Sequence, residues 1–305
     1  MIKLGIIGMS EGNAHPHSWS AIINGCYNAE EINKMGFPAV SNYLKANEDT
    51  LGVSGAKVNC VWTQDKNISE SIAKTANIET IANSLEEMAS MVDAVILARD
   101  DPRNHVAMAK PFIDADIPIF IDKPLAITVE DLEYFSNQNA KGKFIMSCSS
   151  MRYANECRIV KQELASLGNL ELATAVGKKD WIKYGVHLLE AMFSLLDDPT
   201  PVSVKHVGET GQDIVYIKFE NGLVTTLHLF MDICPTFQVS LFGQKAWRLM
   251  DIKNSYSMFR DNIIEFVRSV EEGKPRLPYE KTERIIKTLI GAMESLEKGG
   301  KTVYL

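Results

Sequence analysis

Two stretches of the chain place charge inside apolar surroundings, as chemistry would require. The first is IFIDKPLA (119–126), an apolar strand that runs straight into Asp122-Lys123-Pro124. A lysine at the end of a buried strand must reach solvent or hold something. The plainer alternative is a surface lysine in a salt bridge beside a turn proline. The second stretch is GVHLLEAMFSLL (185–196), apolar almost all round and therefore a buried helix. Its polar exceptions, His187, Glu190 and Ser194, fall at i, i+3 and i+7 and share one face. A buried carboxylate is costly unless paired, so a His187–Glu190 couple is expected. Such a couple tunes an imidazole to take and return a proton near neutral pH. A core His–Glu pair without chemistry is the other reading.

A third stretch, GIIGMSEGNAH (5–15), closes the first apolar run and opens a helical pattern. Glycines at such a turn let the backbone approach a pyrophosphate, whose charge the helix N-terminus stabilises. The G-x-G-x-x-G frame falls on Gly8, Ser10 and Asn13, with Gly12 one residue out of register. At the tip of the second strand stand Trp62-Thr63-Gln64-Asp65-Lys66. An acid at this place binds the adenosine ribose of NAD and a base holds the phosphate of NADP. Thr63 is neutral while Asp65 and Lys66 argue in opposite directions, so the choice between NAD and NADP stays open. His15, Pro16, His17 and Trp19 follow the turn and either line a cofactor entrance or begin a solvated helix. His15, His17 and the cysteines have no closed ligand spacing, so no metal is expected.

The elements that must position these residues alternate in the first half. Continuous β-branched runs at 2–8, 57–62, 93–98, 117–122 and 143–148 read as parallel strands buried on both faces. Helix starts lie between them: a capping box at Ser84-Leu-Glu-Glu87, Asp101-Pro102, and Thr128-Val-Glu-Asp131. This is a right-handed, doubly wound sheet. Residues 27–56 interrupt it, with Pro38 placed to begin an extra helix; a functional lid and a structural decoration are equally compatible with that insertion. After about residue 150 the pattern becomes a helix at 151–166, a strand, an apolar helix at 184–197, and then antiparallel candidates. DIVYIKF and LVTTLHLF are joined by Asn221-Gly222, a strong hairpin signal, and helices at 256–272 and 280–298 close the chain. The expected fold is therefore α/β plus α+β. A Rossmann doubly wound parallel sheet occupies 1–124, with its last strand and helix reaching about 150. A domain on an open, mostly antiparallel sheet occupies 125–305, and its C-terminal segment can return to the first domain.

Length and composition agree. A chain of 305 residues with 46% hydrophobic and 23% charged residues suits two globular domains. A net charge of −7 argues against nucleic-acid and anionic-membrane partners. The cysteines, Cys26, Cys60, Cys148, Cys157 and Cys234, are scattered and odd in number, which fits a reducing compartment. MIKLGIIG lacks a signal-peptide h-region and no apolar run approaches ~18 residues, so a cytoplasmic protein is expected.

In order and spacing the motifs resemble those of the Gfo/Idh/MocA (glucose–fructose oxidoreductase / inositol dehydrogenase) family over nearly the whole length. They are the N-terminal glycine loop, DAVILA with a polar segment ending in His105, FIDKPLA at the family's E-K-P motif, Gly185-Val186-His187-Leu188-Leu189-Glu190 at its G-x-H-x-x-D helix, F-E-N-G (219–222) and LFGQKA. The resemblance implies an NAD(P)-dependent oxidoreductase acting on a sugar or sugar derivative, including amino, acidic or nucleotide-linked sugars. It implies cofactor contacts at Gly8, Ser10, Gly12, Asn13 and Thr63, and further ones at Arg99, Asp100, His105, Asp122 and Lys123. Substrate contacts are implied at Lys123, Arg152, Tyr153, Trp181, Tyr184 and His187. In the oxidation direction His187 would take the hydroxyl proton, Lys123 would hold the same oxygen with Asp122 orienting it, and Glu190 would orient the imidazole. Two alternatives stay open: a catalytically silent sugar sensor or regulatory protein, and an NAD-dependent glycosidase. Retention of both Lys123 and His187 favours an enzyme over a sensor.

The departures from the family pattern are Ser10 and Asn13 for glycines, Arg99-Asp100-Asp101 for a T-P-N stretch, Asp122 for Glu, Glu190 for Asp, and Lys183 where an Asp often precedes the G-x-H. Finally, Leu223, Thr225, Leu227 and Leu229 form one face of their strand, and Val224, Thr226, His228 and Phe230 the other. Apolar residues on both faces suggest that the outer one meets another copy, giving a homodimer or homotetramer through the C-terminal sheet.

Overall fold

The five apolar runs of the first half form β1 (Ile2–Ile7), β2 (Ala56–Trp62), β4 (Ala94–Leu97), β5 (Ile119–Ile121) and β6 (Ile145–Ser147), and a two-residue strand that no run announced, β3 (Thr80–Ile81), joins them. They make a parallel six-stranded sheet in the order β3-β2-β1-β4-β5-β6. The computed structural model describes residues 1–305 and divides into two units. The first comprises residues 1–126, 133–147 and 259–279, and the second 127–132, 148–258 and 280–305.

In the first unit, β4 and the Leu4–Ile7 part of β1 are buried throughout, as strands covered on both faces must be. Helices α1 (His15–Asn24), α4 (Lys66–Ala76), α5 (Leu85–Ala89) and α6 (His105–Asp114) are its crossovers. Asp65 and Ser84 cap α4 and α5 by accepting the amides of Asn67 and Glu87. The insertion folds into α2 (Ala29–Lys34), α3 (Pro38–Lys45) and a 3₁₀ turn at Glu48–Thr50. It is fastened down: Gly52 and Val53 donate to the carbonyls of Ile22 and Ile23, and Tyr43 donates to Ser18. That makes it part of the unit rather than a loose loop. Most of α10 (Ser255–Glu272) belongs here too, with Phe266 beside Phe120 at 5.7 Å and Phe259 beside Trp19 at 6.2 Å. α7 is Val129–Ala140, and no helix of the protein is long and apolar enough to cross a membrane.

The second unit is built on a seven-stranded sheet, ordered β12-β11-β7-β10-β9-β8-β13. Its strands are β7 (Leu170–Lys178), β8 (Pro201–His206), β9 (Gln212–Phe219), β10 (Val224–Phe230), β11 (Phe237–Gly243), β12 (Trp247–Asp251) and β13 (Val303–Tyr304). All neighbours are antiparallel except β7 and β10. The β9–β10 hairpin turns at Asn221-Gly222, where Gly222 has φ +84. Helices α8 (Asn155–Lys161), α9 (Trp181–Leu195) and most of α11 (Tyr279–Glu297) complete the unit. The continuous helix expected at 151–166 is broken into a 3₁₀ turn (Ser150–Tyr153), α8 and a second 3₁₀ turn (Leu164–Leu167). The break has a cause: Ser149 caps the first turn through Met151, and Arg152 is drawn inward to two carboxylates.

Candidate functional site

The glycine loop leaves β1 at Gly8, where an added Cβ would come within 2.6 Å of Pro16 on α1. Glycine is therefore required for the loop to lie against the helix. Gly12 has φ +72 and faces open space. The turn closes by Asn13 N–H to Ser10 carbonyl at 3.1 Å, and the amides of Met9, Ser10, Glu11 and Gly12 make no hydrogen bond within the protein. Such amides at a helix start suit a pyrophosphate. Opposing them is Asp100: Ser10 Oγ donates to its Oδ1 at 2.6 Å and accepts from its amide at 3.2 Å. The loop thus fits a dinucleotide by its backbone and carries one carboxylate that works against it.

Lys123 is 5% exposed, and its ammonium lies 3.8 Å from Asp100 Oδ2. Asp122, buried at 1% exposure, uses its carboxylate elsewhere. Oδ1 accepts the Lys123 amide at 2.8 Å, while Oδ2 meets His15 Nδ1 at 2.6 Å and Asn13 Nδ2 at 3.3 Å. Burial alone would raise this carboxyl; the His15 ring, then the Lys123 charge and amide, overcome it and hold Asp122 below its ordinary value. Lys123 thus has an ion pair with Asp100, and Asp122 holds the loop through His15 and Asn13.

In the second unit the polar face of α9 is satisfied in a different way from the expected couple. Ser149 Oγ lies 2.6 Å from His187 Nδ1, and Ser149 N–H donates to Glu190 Oε1 at 3.1 Å. Glu190 Oε2 accepts from Arg152 Nε at 2.6 Å, and Arg152 also bonds Asp198 at 2.7 and 3.2 Å. Ser194 Oγ donates to the Arg152 carbonyl at 3.0 Å. Both Glu190 oxygens are thus taken, and Ser149 links the carboxylate to the ring. Burial raises the Glu190 carboxyl above its usual range against the pull of Arg152, whereas Asp198 is held low because Arg152 and Lys281 outweigh its burial. The His187 ring also has aromatic neighbours, with Tyr184 at 5.1 Å and Phe237 edge-on at 5.9 Å.

Residues 2–147 match the model of the oxidoreductase family with an NAD-binding Rossmann fold, GFO_IDH_MocA. Over these residues, somewhat less than half of its length, the chain is similar to the Gfo/Idh/MocA family. It is also similar to inositol 2-dehydrogenase 1 of Saccharopolyspora erythraea, 33% identical over 107 residues, which are 34% of this chain and 32% of that protein. The match spans about a third of that relative's length. Over the full fold the chain is similar to the myo-inositol 2-dehydrogenase of Lactobacillus plantarum, with a TM-score of 0.78 at 15% identity, covering 100% of this chain and 99% of that one. The myo-inositol dehydrogenase of Lactobacillus casei, solved with NAD(H) and myo-inositol, superposes with a TM-score of 0.77 at 16% identity, over 100% and 97%. At these identities the structural likenesses show the fold.

Several of the motif positions have structural duties in this chain. Thr63 is turned inward: its hydroxyl donates to the Asp65 carbonyl and meets Ser69 Oγ at 2.9 Å, so it shapes the start of α4. Gln64 instead faces the glycine loop, with Nε2 on the Met9 carbonyl at 2.8 Å and Oε1 on Arg99 at 2.7 Å. Arg99 is 6% exposed and clamped by Asp101, Gln64 and the Met9 carbonyl. His105 is fully buried between the carbonyls of Leu125 at 3.1 Å and Arg99 at 3.0 Å, tying two loops together instead of presenting its ring to a ligand.

Trp181 is a core residue at 3% exposure, its indole N–H donating to the Leu289 carbonyl at 3.0 Å. Gly185 is small because Trp181 and Leu289 crowd it; a Cβ there would lie 2.8 Å from the indole. Arg152 is 7% exposed and committed to Glu190 and Asp198, leaving Tyr153, Tyr184 and His187 as the half-buried members of the expected substrate set. Tyr184 receives the Lys179 ammonium on its hydroxyl at 2.6 Å. His15 stacks on Trp19 at 4.4 Å, and His17 and Trp19 are buried, so neither a solvated helix start nor an open entrance describes this group. Sequence reasoning missed Ser149, Gln64 and Phe237. Ser149 had a local signal, a serine just before a turn; its contact with His187 had none.

Proposed function

We propose that the protein is an NAD(P)-dependent oxidoreductase that moves a hydride between nicotinamide and a sugar or polyol derivative. The observation that carries this reading is the buried Lys123 at the C-terminal end of β5, in the unit whose glycine loop offers unpaired amides. Bound nicotinamide would supply the hydride chemistry. The amides from Met9 to Gly12 would hold the pyrophosphate at the start of α1. Lys123 would stabilise negative charge on the substrate oxygen as the carbon–oxygen bond changes order. His187, half-buried and braced by Ser149, would exchange the hydroxyl proton. Gln64 is neutral and faces the loop, while Asp65 is spent on capping α4. The Asp65 carboxylate and the adjacent Lys66 ammonium act in opposite directions on a 2′-phosphate, so NAD and NADP are expected to differ by less than about tenfold in Kd.

A second reading, a sugar sensor of the same fold, draws support from Asp100 against the glycine loop. Incubation with NAD or NADP and a panel of inositols, sugars, amino sugars and sugar acids, followed at the nicotinamide absorbance, separates the two. Net reduction of cofactor by at least one polyol supports the enzyme. Binding of a polyol with no turnover under any cofactor supports the sensor.

A further inference from the structure

We propose that Ser149 is the positioning residue of His187, its hydroxyl selecting the imidazole tautomer and its amide fixing that arrangement to Glu190. The inference rests on the reading above only for its kinetic consequence.

Ser149 is fully buried, so each of its hydrogen-bonding groups needs a partner inside the protein. Its Oγ accepts the Met151 amide at 3.2 Å, which consumes one lone pair. The remaining polar neighbour of that oxygen is His187 Nδ1 at 2.6 Å. The hydroxyl proton therefore has Nδ1 as its acceptor, since a buried donor without one is unfavourable. A neutral His187 accordingly accepts at Nδ1 and carries its own proton on Nε2.

The hydroxyl retains a free lone pair, so when the ring is protonated at both nitrogens Ser149 can rotate and accept from Nδ1–H. A carboxylate in the same place could only accept. Ser149 can thus follow the ring through both charge states, but only the neutral ring gives its hydroxyl proton an acceptor. Its own orientation is set from three sides: the Ser149 amide on Glu190 Oε1, the Ser149 carbonyl accepting the Arg152 amide at 3.0 Å, and Arg152 Nε on Glu190 Oε2. The buried Glu190–Arg152–Asp198 network therefore acts on His187 through Ser149. Tyr184 on α9 itself and Phe237 on β11 are aromatic neighbours of the ring.

The test is two-bond proton–nitrogen NMR of the uniformly labelled full chain at a pH where the ring is neutral, with His187→Gln assigning the signals. Wild type should show Nε2–H at His187, Ser149→Ala a mixture of tautomers, and Ser149→Thr the wild-type pattern. Nδ1–H in wild type, or an unchanged tautomer in Ser149→Ala, overturns the proposal. Because the wild-type spectrum decides by itself, a variant that fails to fold leaves the test intact. In turnover, Ser149→Ala should lower kcat about tenfold and displace the pH profile, with the cofactor KM unchanged and Thr restoring activity. A wild-type kcat and pH profile in Ser149→Ala overturns it as well. Absence of turnover by wild type would overturn the dehydrogenase reading, and the NMR result would still decide the tautomer.

Discussion

His15 Nδ1 and Asp122 Oδ2 lie 2.6 Å apart, joining the first turn of α1 to the end of β5 across 107 residues of sequence. The pair, with Asn13 on the same oxygen, fixes the glycine loop to the strand that delivers Lys123.

That contact gives acid stability a definite shape. Asp122 has a depressed pKa when folded, so its stabilisation is complete above the ordinary 3.8 and is lost as pH falls below it. His17 contributes earlier. Burial lowers it from 6.5 to about 4, so the unfolded chain takes up a proton that the folded one refuses, and stability falls as pH drops between those values. His105 acts in the same direction. Urea midpoints measured from pH 7 to 3 should show both losses. Asp122→Asn should cost about 1–3 kcal/mol at pH 7 and converge on wild type toward pH 3; His17→Gln should flatten the upper window. A wild-type slope in His17→Gln would contradict the assignment.

Lys123→Ala and His187→Ala are each expected to reduce turnover about a hundredfold or more while leaving cofactor affinity nearly unchanged, as befits groups that act on the transition state. Steady-state kinetics beside a cofactor-binding titration checks both halves. Near-normal turnover in either variant would remove that residue from the mechanism.

Glu190→Gln should lower kcat less than His187→Ala and shift the pH profile, since it changes the field and the Ser149 brace without removing the ring. Arg152 keeps Asp198 as a partner, so the stability loss should stay near 1–3 kcal/mol instead of the 3–5 of a wholly orphaned buried charge. Thermal or urea unfolding with parallel kinetics measures both. A larger kcat loss than in His187→Ala would mean that Glu190 acts on substrate directly.

Asp100→Asn is expected to tighten NAD(P) binding about tenfold, because it removes a negative charge beside the phosphate turn while preserving an acceptor for Ser10. Quenching or calorimetric titration of the two proteins gives the ratio. Unchanged or weaker binding would place the pyrophosphate away from Asp100.

On the outer face of the second sheet, Phe242, Trp247 and Leu249 are 40%, 62% and 50% exposed, with Phe242 paired to Trp247 and Ser240 to Leu249. Apolar residues gathered on a sheet face predict association with a second copy. Sedimentation equilibrium at micromolar concentration should give at least twice 34.0 kDa, and Leu249→Lys should shift the protein toward monomer. A single wild-type species at 34.0 kDa would refute the interface.

Local features were legible in the sequence by themselves. The continuous β-branched runs became five of the six strands of the parallel sheet, Asn221-Gly222 became the β9–β10 turn, Pro38 opened α3, and Ser84 capped α5, because each depends on backbone geometry within a few residues; the two-residue β3 was too short to leave such a run. The α9 pattern correctly placed His187, Glu190 and Ser194 on one polar face, since helical spacing alone decides that. What each polar group touches was decided by tertiary structure. His187 found Ser149 instead of Glu190, Lys123 found Asp100, Trp181 went into the core, and Thr63 turned away from the loop in favour of Gln64. These partners come from other elements or opposite sides of a turn, and a buried polar group takes whichever donor or acceptor packing brings within about 3 Å. The broken helix at 151–166 has the same origin: the pull of Glu190 and Asp198 on Arg152, contributed from 38 and 46 residues away, outweighs a local helical preference of a few tenths of a kcal/mol per residue.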